Sequence, residues 1–125
     1  MEKQRVLLVD DEEEFVSALS ERLMLRGIQV ETALNGEEAL VKLYDNPVDV
    51  VILDVMMPGL GGLEVLRQIK TSHPGTQVVL LTGQGSTKEG IEGMRLGAFD
   101  YLIKPVDIEE LLAKMREAVQ TRKTE

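Results

Sequence analysis

Cysteine is absent from the 125 residues, so neither a disulfide nor thiolate chemistry can operate, a composition that fits a reducing cytoplasm. Tryptophan is absent too, and histidine occurs once, at His73 beside Pro74-Gly75. With no second histidine and no cysteine to complete a soft-ligand metal site, His73 reads as an ordinary loop residue. Positive charge is scarce: 14 Lys and Arg against 22 Asp and Glu leave a net charge of −8 and a pI near 4.7. That balance argues against unaided binding to nucleic acid or to an anionic membrane, since both need concentrated Lys and Arg. No apolar run approaches the roughly 20 residues that span a bilayer, and Met1-Glu2-Lys3-Gln4-Arg5 enters a strand-like segment without an apolar signal region. What is present is 43% hydrophobic content over a length that suits one core and is too short for two ordinary domains.

The apolar residues are ordered. Val6-Leu7-Leu8-Val9, Val50-Val51-Ile52-Leu53 and Val78-Val79-Leu80-Leu81 are short runs, rich in β-branched residues and each ended by a polar one, as parallel strands buried on both faces would be. Gln29 to Ala33 alternates like an edge strand, and Asp100-Tyr101-Leu102-Ile103 reads as a fifth strand closed by Lys104-Pro105. Helical spacing lies between them. Phe15, Leu19 and Leu23 share one face of a helix that stops at Gly27, where a left-handed cap is easy. Ala39, Leu40 and Leu43 mark a second helix after Asn35-Gly36, and Leu63, Leu66 and Ile69 a third before His73-Pro74-Gly75. A fourth is expected from about Ser86 to Leu96, with Ser86 and Glu89 at capping-box spacing. In the fifth, Ile108, Leu111, Leu112, Met115, Ala118 and Val119 form a stripe, again with capping-box spacing at Asp107 and Glu110. Five alternations of strand and helix imply a doubly wound parallel α/β sheet of the flavodoxin-like kind, order 2-1-3-4-5, with helices on both faces.

In such a sheet, ligands bind beyond the carboxyl ends of the strands, where the winding reverses between strands 1 and 3. The residues at those ends are Asp10 and Asp11, Asp54, Thr82 and Lys104. Three carboxylates in one crevice repel, each pair by about 4 kcal/mol at 4 Å and an effective dielectric of 20. A hard divalent cation relieves this, and Mg²⁺ suits a few carboxylates, a carbonyl, water and a phosphate oxygen. Lys104 adds a positive charge from the far side. The chemistry this serves is phosphoryl transfer, which asks for in-line positioning and neutralisation of the equatorial oxygens. Asp54 can be the nucleophile that forms an acyl phosphate. The Thr82 hydroxyl can donate to a phosphoryl oxygen, and Gly83 leaves room for the group to approach the backbone.

Asp10-Asp11 after Val6 to Val9, Asp54-Val55-Met56-Met57-Pro58-Gly59, Leu81-Thr82-Gly83, and Gly97-Ala98-Phe99-Asp100-Tyr101-Leu102-Ile103-Lys104-Pro105 resemble the signatures of the two-component response regulator receiver family, in order, over about residues 4 to 120. The resemblance implies that Asp11 binds Mg²⁺ directly and Asp10 through water, that Asp54 is both ligand and phosphoacceptor, and that the Met56 carbonyl completes the protein's share. Tyr101 matches the family's switch aromatic, turning inward as Thr82 moves toward the phosphoryl group. The Lys104–Pro105 bond is expected to be cis, aiming Lys104 at the site, although only about 5% of such bonds are. The implied unit is one receiver domain over residues 1–121 with a polar tail at 122–125 and no effector domain. It is implied to be cytoplasmic, and to be a phosphoacceptor that assists its own phosphotransfer and autodephosphorylation rather than an enzyme. The implied partners are a sensor histidine kinase or histidine phosphotransfer domain docking near the first helix, and a downstream effector, or a second copy of the chain, engaging helix 4, strand 5 and helix 5. Neither nucleic acid nor membrane is contacted directly.

Singly, each of these residues has a plainer explanation. Asp10 or Asp11 fits an N-cap as well as a metal ligand, and Asp54 fits a turn before Pro58. Thr82 fits a structural strand end, Lys104 a solvated charge, Tyr101 a half-buried amphipathic ring, and Glu12-Glu13-Glu14 the negative first turn that a helix dipole favours. Jointly they fail, because all five polar positions would have to reach one end of one sheet by accident. Other classes fit less well. A flavin carrier of this winding needs a hydroxyl- and amide-rich loop where the chain has Asp10-Asp11-Glu12-Glu13-Glu14, a haloacid-dehalogenase-type phosphatase needs Asp-x-Asp on the first strand, and a GTPase needs a glycine-rich Walker loop. The serious rival is a receiver-like interaction module that works without phosphorylation, which usually lacks an acid or the lysine.

One departure from the family pattern and two further features matter. Gly61 stands where the family often has Asp or Asn, leaving the third helix without a side-chain N-cap. Met56 and Gln84 occupy positions that, in the family, tune water access to the acyl phosphate. Gly90 and Gly93 cost the fourth helix about 2 kcal/mol relative to two alanines, which fits either a locally labile helix or close packing on a neighbour.

Overall fold

Parity along each apolar run decides which side of the sheet a residue serves. The computed structural model describes residues 4–124, with side chains through residue 121. In it β1 (Arg5–Val9), β3 (Val50–Asp54) and β4 (Gln77–Thr82) form the centre of a parallel sheet, with β2 (Gln29–Ala33) and β5 (Asp100–Ile103) at its edges in the order 2-1-3-4-5. Leu7, Val9, Val51, Leu53, Val78 and Leu80 face one side, where α2 (Gly36–Asp45) and α3 (Gly62–Ser72) supply Ala39, Leu43, Val65, Leu66 and Ile69. Val6, Leu8, Val50, Ile52, Val79 and Leu81 face the other, against Val16, Leu19 and Leu23 of α1 (Glu13–Met24) and Leu111 and Met115 of α5 (Ile108–Thr124). Every residue of β3 is buried, which is why its sequence shows no polar alternation. Each fully buried Leu, Ile or Val contributes roughly 1.5–3 kcal/mol, so truncating Ile52 or Leu53 at the sheet's centre would cost the most.

The expected order, the helices on both faces and the cis Lys104–Pro105 bond are all present. Gly27 takes φ +83° beyond α1, and the Ile28 amide bonds back to the Leu23 carbonyl in a Schellman-type cap. Gly61 precedes α3 without a side-chain cap. Gly62 is required for a different reason: a Cβ there would run into the Asp54 carbonyl oxygen and the Val55 backbone, so α3 begins pressed on the end of β3.

Local expectations needed correction at two places. The Ser86–Glu89 capping box does not form at the start of α4 (Thr87–Arg95). Ser86 has φ −106° and ψ 23°, away from the extended conformation that lets an N-cap hydroxyl reach back; its amide donates to the Gly83 carbonyl and its carbonyl accepts from the Glu89 and Gly90 amides, with no side-chain cap bond. At α5 half of the expected box forms: Asp107 accepts from the Glu109 amide at 2.9 Å, with no return bond from Glu110. On α1 Phe15, Leu19 and Leu23 do share the face turned to the core, joined by Val16, with Phe15 half-buried at its edge. The α5 helix continues through Thr124. Residues 1–3 and Glu125, which belong to the expected domain start and polar tail, lie outside the described residues.

Candidate functional site

Register brings the strand ends together. Val9 pairs with Leu53, so Asp10 and Asp54 leave neighbouring strands at the same level, and Thr82 pairs with Ile103, so Lys104 leaves β5 beside them. The Lys104 amide then donates to the Thr82 carbonyl at 2.7 Å. Asp10 is fully buried, and its Oδ1 accepts from the Glu12 amide at 3.0 Å. Asp54 is 5% exposed, and its Oδ1 accepts from the Met56 amide at 3.2 Å. Asp11 is exposed at the rim. Carboxylate oxygens of Asp10, Asp11 and Asp54 all lie within 4.8 Å of one another.

Lys104 enters this cluster as its cation. Nζ donates to Asp10 Oδ2 at 2.7 Å and Glu12 Oε1 at 3.1 Å, stands 3.8 Å from Asp54 Oδ2, and lies 4.4 Å from the centroid of the Phe15 ring. Burial works against the ammonium, but the hydrogen bond to Asp10 and the charges of Asp54 and Asp10 outweigh it and hold the Lys104 pKa above its ordinary value. One lysine does not neutralise three acids. Burial, followed by the charge of Asp10, pushes the Asp54 carboxyl up to about 6, with Lys104 pulling the other way. A crowded, under-compensated set of oxygens beside a partly exposed rim is the donor chemistry of a hard divalent cation, and the residues present fit Mg²⁺.

The cleft above these groups, about 320 Å³, is lined by Asp11, Glu12, Asp54, Met56, Gly83, Ser86 and Lys104. Larger hollows exist, such as the groove of about 770 Å³ beside Leu63, Ile91 and Arg95. Among the described residues, only Asp10, Asp11 and Asp54 form an acidic group able to hold a metal ion.

Of the residues singled out from sequence, Asp10, Asp11, Asp54, Met56 and Lys104 meet at this cleft. Thr82 ends β4 next to it but is completely buried, its hydroxyl donating to the Leu102 carbonyl at 3.4 Å inside the sheet. Tyr101 is half-buried under α4, against Gly90, and does not line the cleft. Three residues here went unread in sequence: Glu12, whose side chain reaches Lys104 although it stood as helix decoration; Phe15, which had been placed on the core face; and Ser86, which lines the cleft where a cap was expected. Glu12 and Lys104 are 92 residues apart, and no local pattern links them.

Against known proteins, the response regulator receiver domain family matches residues 6–116. The chain belongs to that family. Among curated relatives, it is 42% identical over 124 residues to the "uncharacterized transcriptional regulatory protein YkoG" of Bacillus subtilis (strain 168), covering 99% of this chain and 54% of that one. It is 45% identical over 112 residues to the response regulator MprA of Mycobacterium sp. (strain KMS), covering 90% and 49%. This receiver domain thus spans about half the length of the curated relatives it matches. Among solved structures, a response regulator receiver domain protein from Clostridium thermocellum superposes with a TM-score of 0.92 at 36% identity, covering 97% of this chain and 98% of that one. Among the described residues, no helix is long and apolar enough to cross a membrane.

Proposed function

We propose that this receiver domain is a phosphorylation-activated switch in which Asp54 accepts a phosphoryl group from a phosphohistidine. The observation that carries the reading is the convergence of Asp10, Asp11, Asp54 and Lys104 on one cleft at the carboxyl edge of the sheet, with Asp54 buried between them. An Asp54 carboxylate oxygen forms the new bond to phosphorus; the P–N bond of the donor breaks, and the imidazole nitrogen takes the electron pair. Asp10, Asp11, Asp54 and the Met56 carbonyl would hold Mg²⁺, which when bound supplies positive charge against the phosphoryl oxygens. Lys104, already 3.8 Å from Asp54 Oδ2, supplies a second positive charge from the protein. The open cleft beside Met56 and Gly83 gives water a route to the acyl phosphate and so supports autodephosphorylation assisted by the same residues.

Thr82 and Tyr101 are the response. The Thr82 hydroxyl exchanges its bond to the Leu102 carbonyl for a phosphoryl oxygen, and Tyr101 follows inward from its place beside Gly90. The output is carried by α4, β5 and α5, toward an effector domain or protein or a second copy. Ile91, Met94 and Ile103, all substantially exposed on α4 and β5, give such a partner apolar surface. The donor, a sensor histidine kinase or histidine phosphotransfer domain, docks at the cleft rim near α1. Residues 1–121 act as the receiver unit, with residues 122–125 as a polar extension, in the cytoplasm, and the net charge of −8 leaves direct nucleic-acid binding to other parts of a regulator.

The test is mass spectrometry after incubation with Mg²⁺ and acetyl phosphate or a phosphorylated kinase. One phosphoryl group on Asp54 is expected, absent in Asp54→Asn and in chelator. Full Mg²⁺-dependent labelling of Asp54→Asn would overturn the reading in favour of another acceptor, and no labelling of the wild type would favour a phosphorylation-independent module.

A further inference from the structure

The ammonium of Lys104 rests against an aromatic ring as well as between carboxylates. Phe15, on the first turn of α1, is one of only two phenylalanines in the chain, and its ring centroid lies 4.4 Å from Nζ. The ring is anchored by packing against the core shared by α1 and α5. The Lys104 side chain is only 19% exposed, so water competes weakly for the ammonium and the attraction of the ring's negative face counts for more than at an open surface.

The count of donors gives this contact a purpose. A lysine ammonium has three N–H donors and no acceptor. Asp10 and Glu12 receive two, and Asp54 Oδ2 stands beyond bonding range at 3.8 Å. Another carboxylate in place of the ring would take the third donor and draw the cation toward itself. An aromatic face attracts the charge without consuming a directional hydrogen bond, so the third N–H stays available on the side of Asp54.

We propose that Phe15 is a positioning residue for phosphotransfer, its ring holding the Lys104 ammonium between Asp10 and Asp54 with one donor free for a phosphoryl oxygen. The inference rests on Asp54 being the phosphoacceptor and deepens that reading. In the reaction, an Asp54 carboxylate oxygen bonds to the phosphorus of acetyl phosphate, the P–O bond to the acetyl group breaks, and acetate leaves with the electron pair. Phe15 forms no bond and moves no proton. Leucine at this position would cover the same core edge but has no quadrupole, leaving the carboxylates to set where the cation sits.

The experiment compares initial phosphorylation rates of the full chain with acetyl phosphate and saturating Mg²⁺, read by intact mass, for wild type, Phe15→Leu, Phe15→Met and Phe15→Tyr. A small donor removes any contribution of α1 to kinase docking. Phe15→Leu and Phe15→Met are expected to react about three- to tenfold more slowly at saturating donor, as loss of a shielded cation–π contact implies. Phe15→Tyr is expected to react within about twofold of wild type, because the ring face remains. With Mg²⁺ saturating for each of the four, a rate difference does not report metal occupancy. Wild-type rates in Phe15→Leu or Phe15→Met, or a Phe15→Tyr as slow as they are, would overturn the inference alone. If the wild type takes no phosphate on Asp54, the phosphoacceptor reading falls and carries this inference with it.

Discussion

Gly90 of α4 lies so close to the ring of Tyr101 that a Cβ added to the glycine would stand 2.9 Å from Cδ2. Three residues on, a Cβ on Gly93 would collide with Leu80 Cδ1 of β4. These two glycines are the only buried residues of α4, while Ile91 and Met94 point largely to solvent. The helix is seated by what its glycines lack.

Alanine at position 93 separates intrinsic propensity from packing. Replacing an interior helical glycine gains about 1 kcal/mol of propensity, but Leu80 is fully buried and has to be displaced. Overpacking a core costs roughly 1–3 kcal/mol, so Gly93→Ala is expected to destabilise the domain, seen as a lower urea midpoint with unchanged slope. A higher midpoint would show that Leu80 yields without cost.

With no fully buried large side chain and no side-chain N-cap, α4 has less to lose on opening than α5, which buries Leu111, Met115 and Ala118. Amide hydrogen exchange over residues 87–96 is expected to be faster than in α5 before phosphorylation and slower once Asp54 carries phosphate. Equal protection in both helices, unchanged on phosphorylation, would assign Gly90 and Gly93 to close packing alone.

The raised pKa of Asp54 predicts a specific pH dependence in the absence of Mg²⁺. The folded chain holds this proton up to about 6, the unfolded chain only to 3.8. Below 3.8 both states are protonated and Asp54 carries no penalty; as pH rises through about 6 the folded state gives up a proton it favours, and stability falls. At pH 8 in chelator, Asp54→Asn is expected to exceed wild type by about 1–3 kcal/mol, the gap closing toward pH 4. Urea denaturation at the two pH values measures it, and a constant gap would show that the charge of Asp54 is compensated.

Mg²⁺ should reverse that penalty. A ligand bound only by the folded state at a hundred times its Kd adds about 2.7 kcal/mol, visible as a rise in Tm. Asp11 is an exposed member of the carboxylate cluster and its charge bears on Asp54, so Asp11→Ala should leave stability in chelator unchanged or slightly raised and lose most of the Mg²⁺-dependent rise. A full rise in that variant would place the ion elsewhere.

Much of this was legible before folding because period and punctuation are local. Runs such as Val50 to Leu53, the punctuating Gly27, and the polar residue after each strand follow from backbone sterics and the two-residue pleat, and strict strand–helix alternation leaves few topologies. Asp10, Asp11, Asp54 and Lys104 were found because a parallel sheet aligns all its carboxyl ends at one edge. The motifs of the family added what periodicity could not, the cis bond before Pro105 among them.

Other features had no local signal. Ser86 and Glu89 have the spacing of a capping box, yet backbone angles set by the loop from Gly83 turn Ser86 toward the cleft instead. Glu12 and Phe15 read as a helix start and a core face; their common partner Lys104 comes from the far end of the chain, and only register across β1, β3, β4 and β5 delivers it. Thr82 was placed correctly at its strand end, but its hydroxyl direction depends on a carbonyl of β5. Sequence alone determined which residues form the sheet and which groups stand at its carboxyl edge, because those follow from short-range sterics and burial. Tertiary structure decided which neighbour each group holds, because hydrogen bonds and cation–π contacts act over a few ångströms between side chains that only the completed packing brings together.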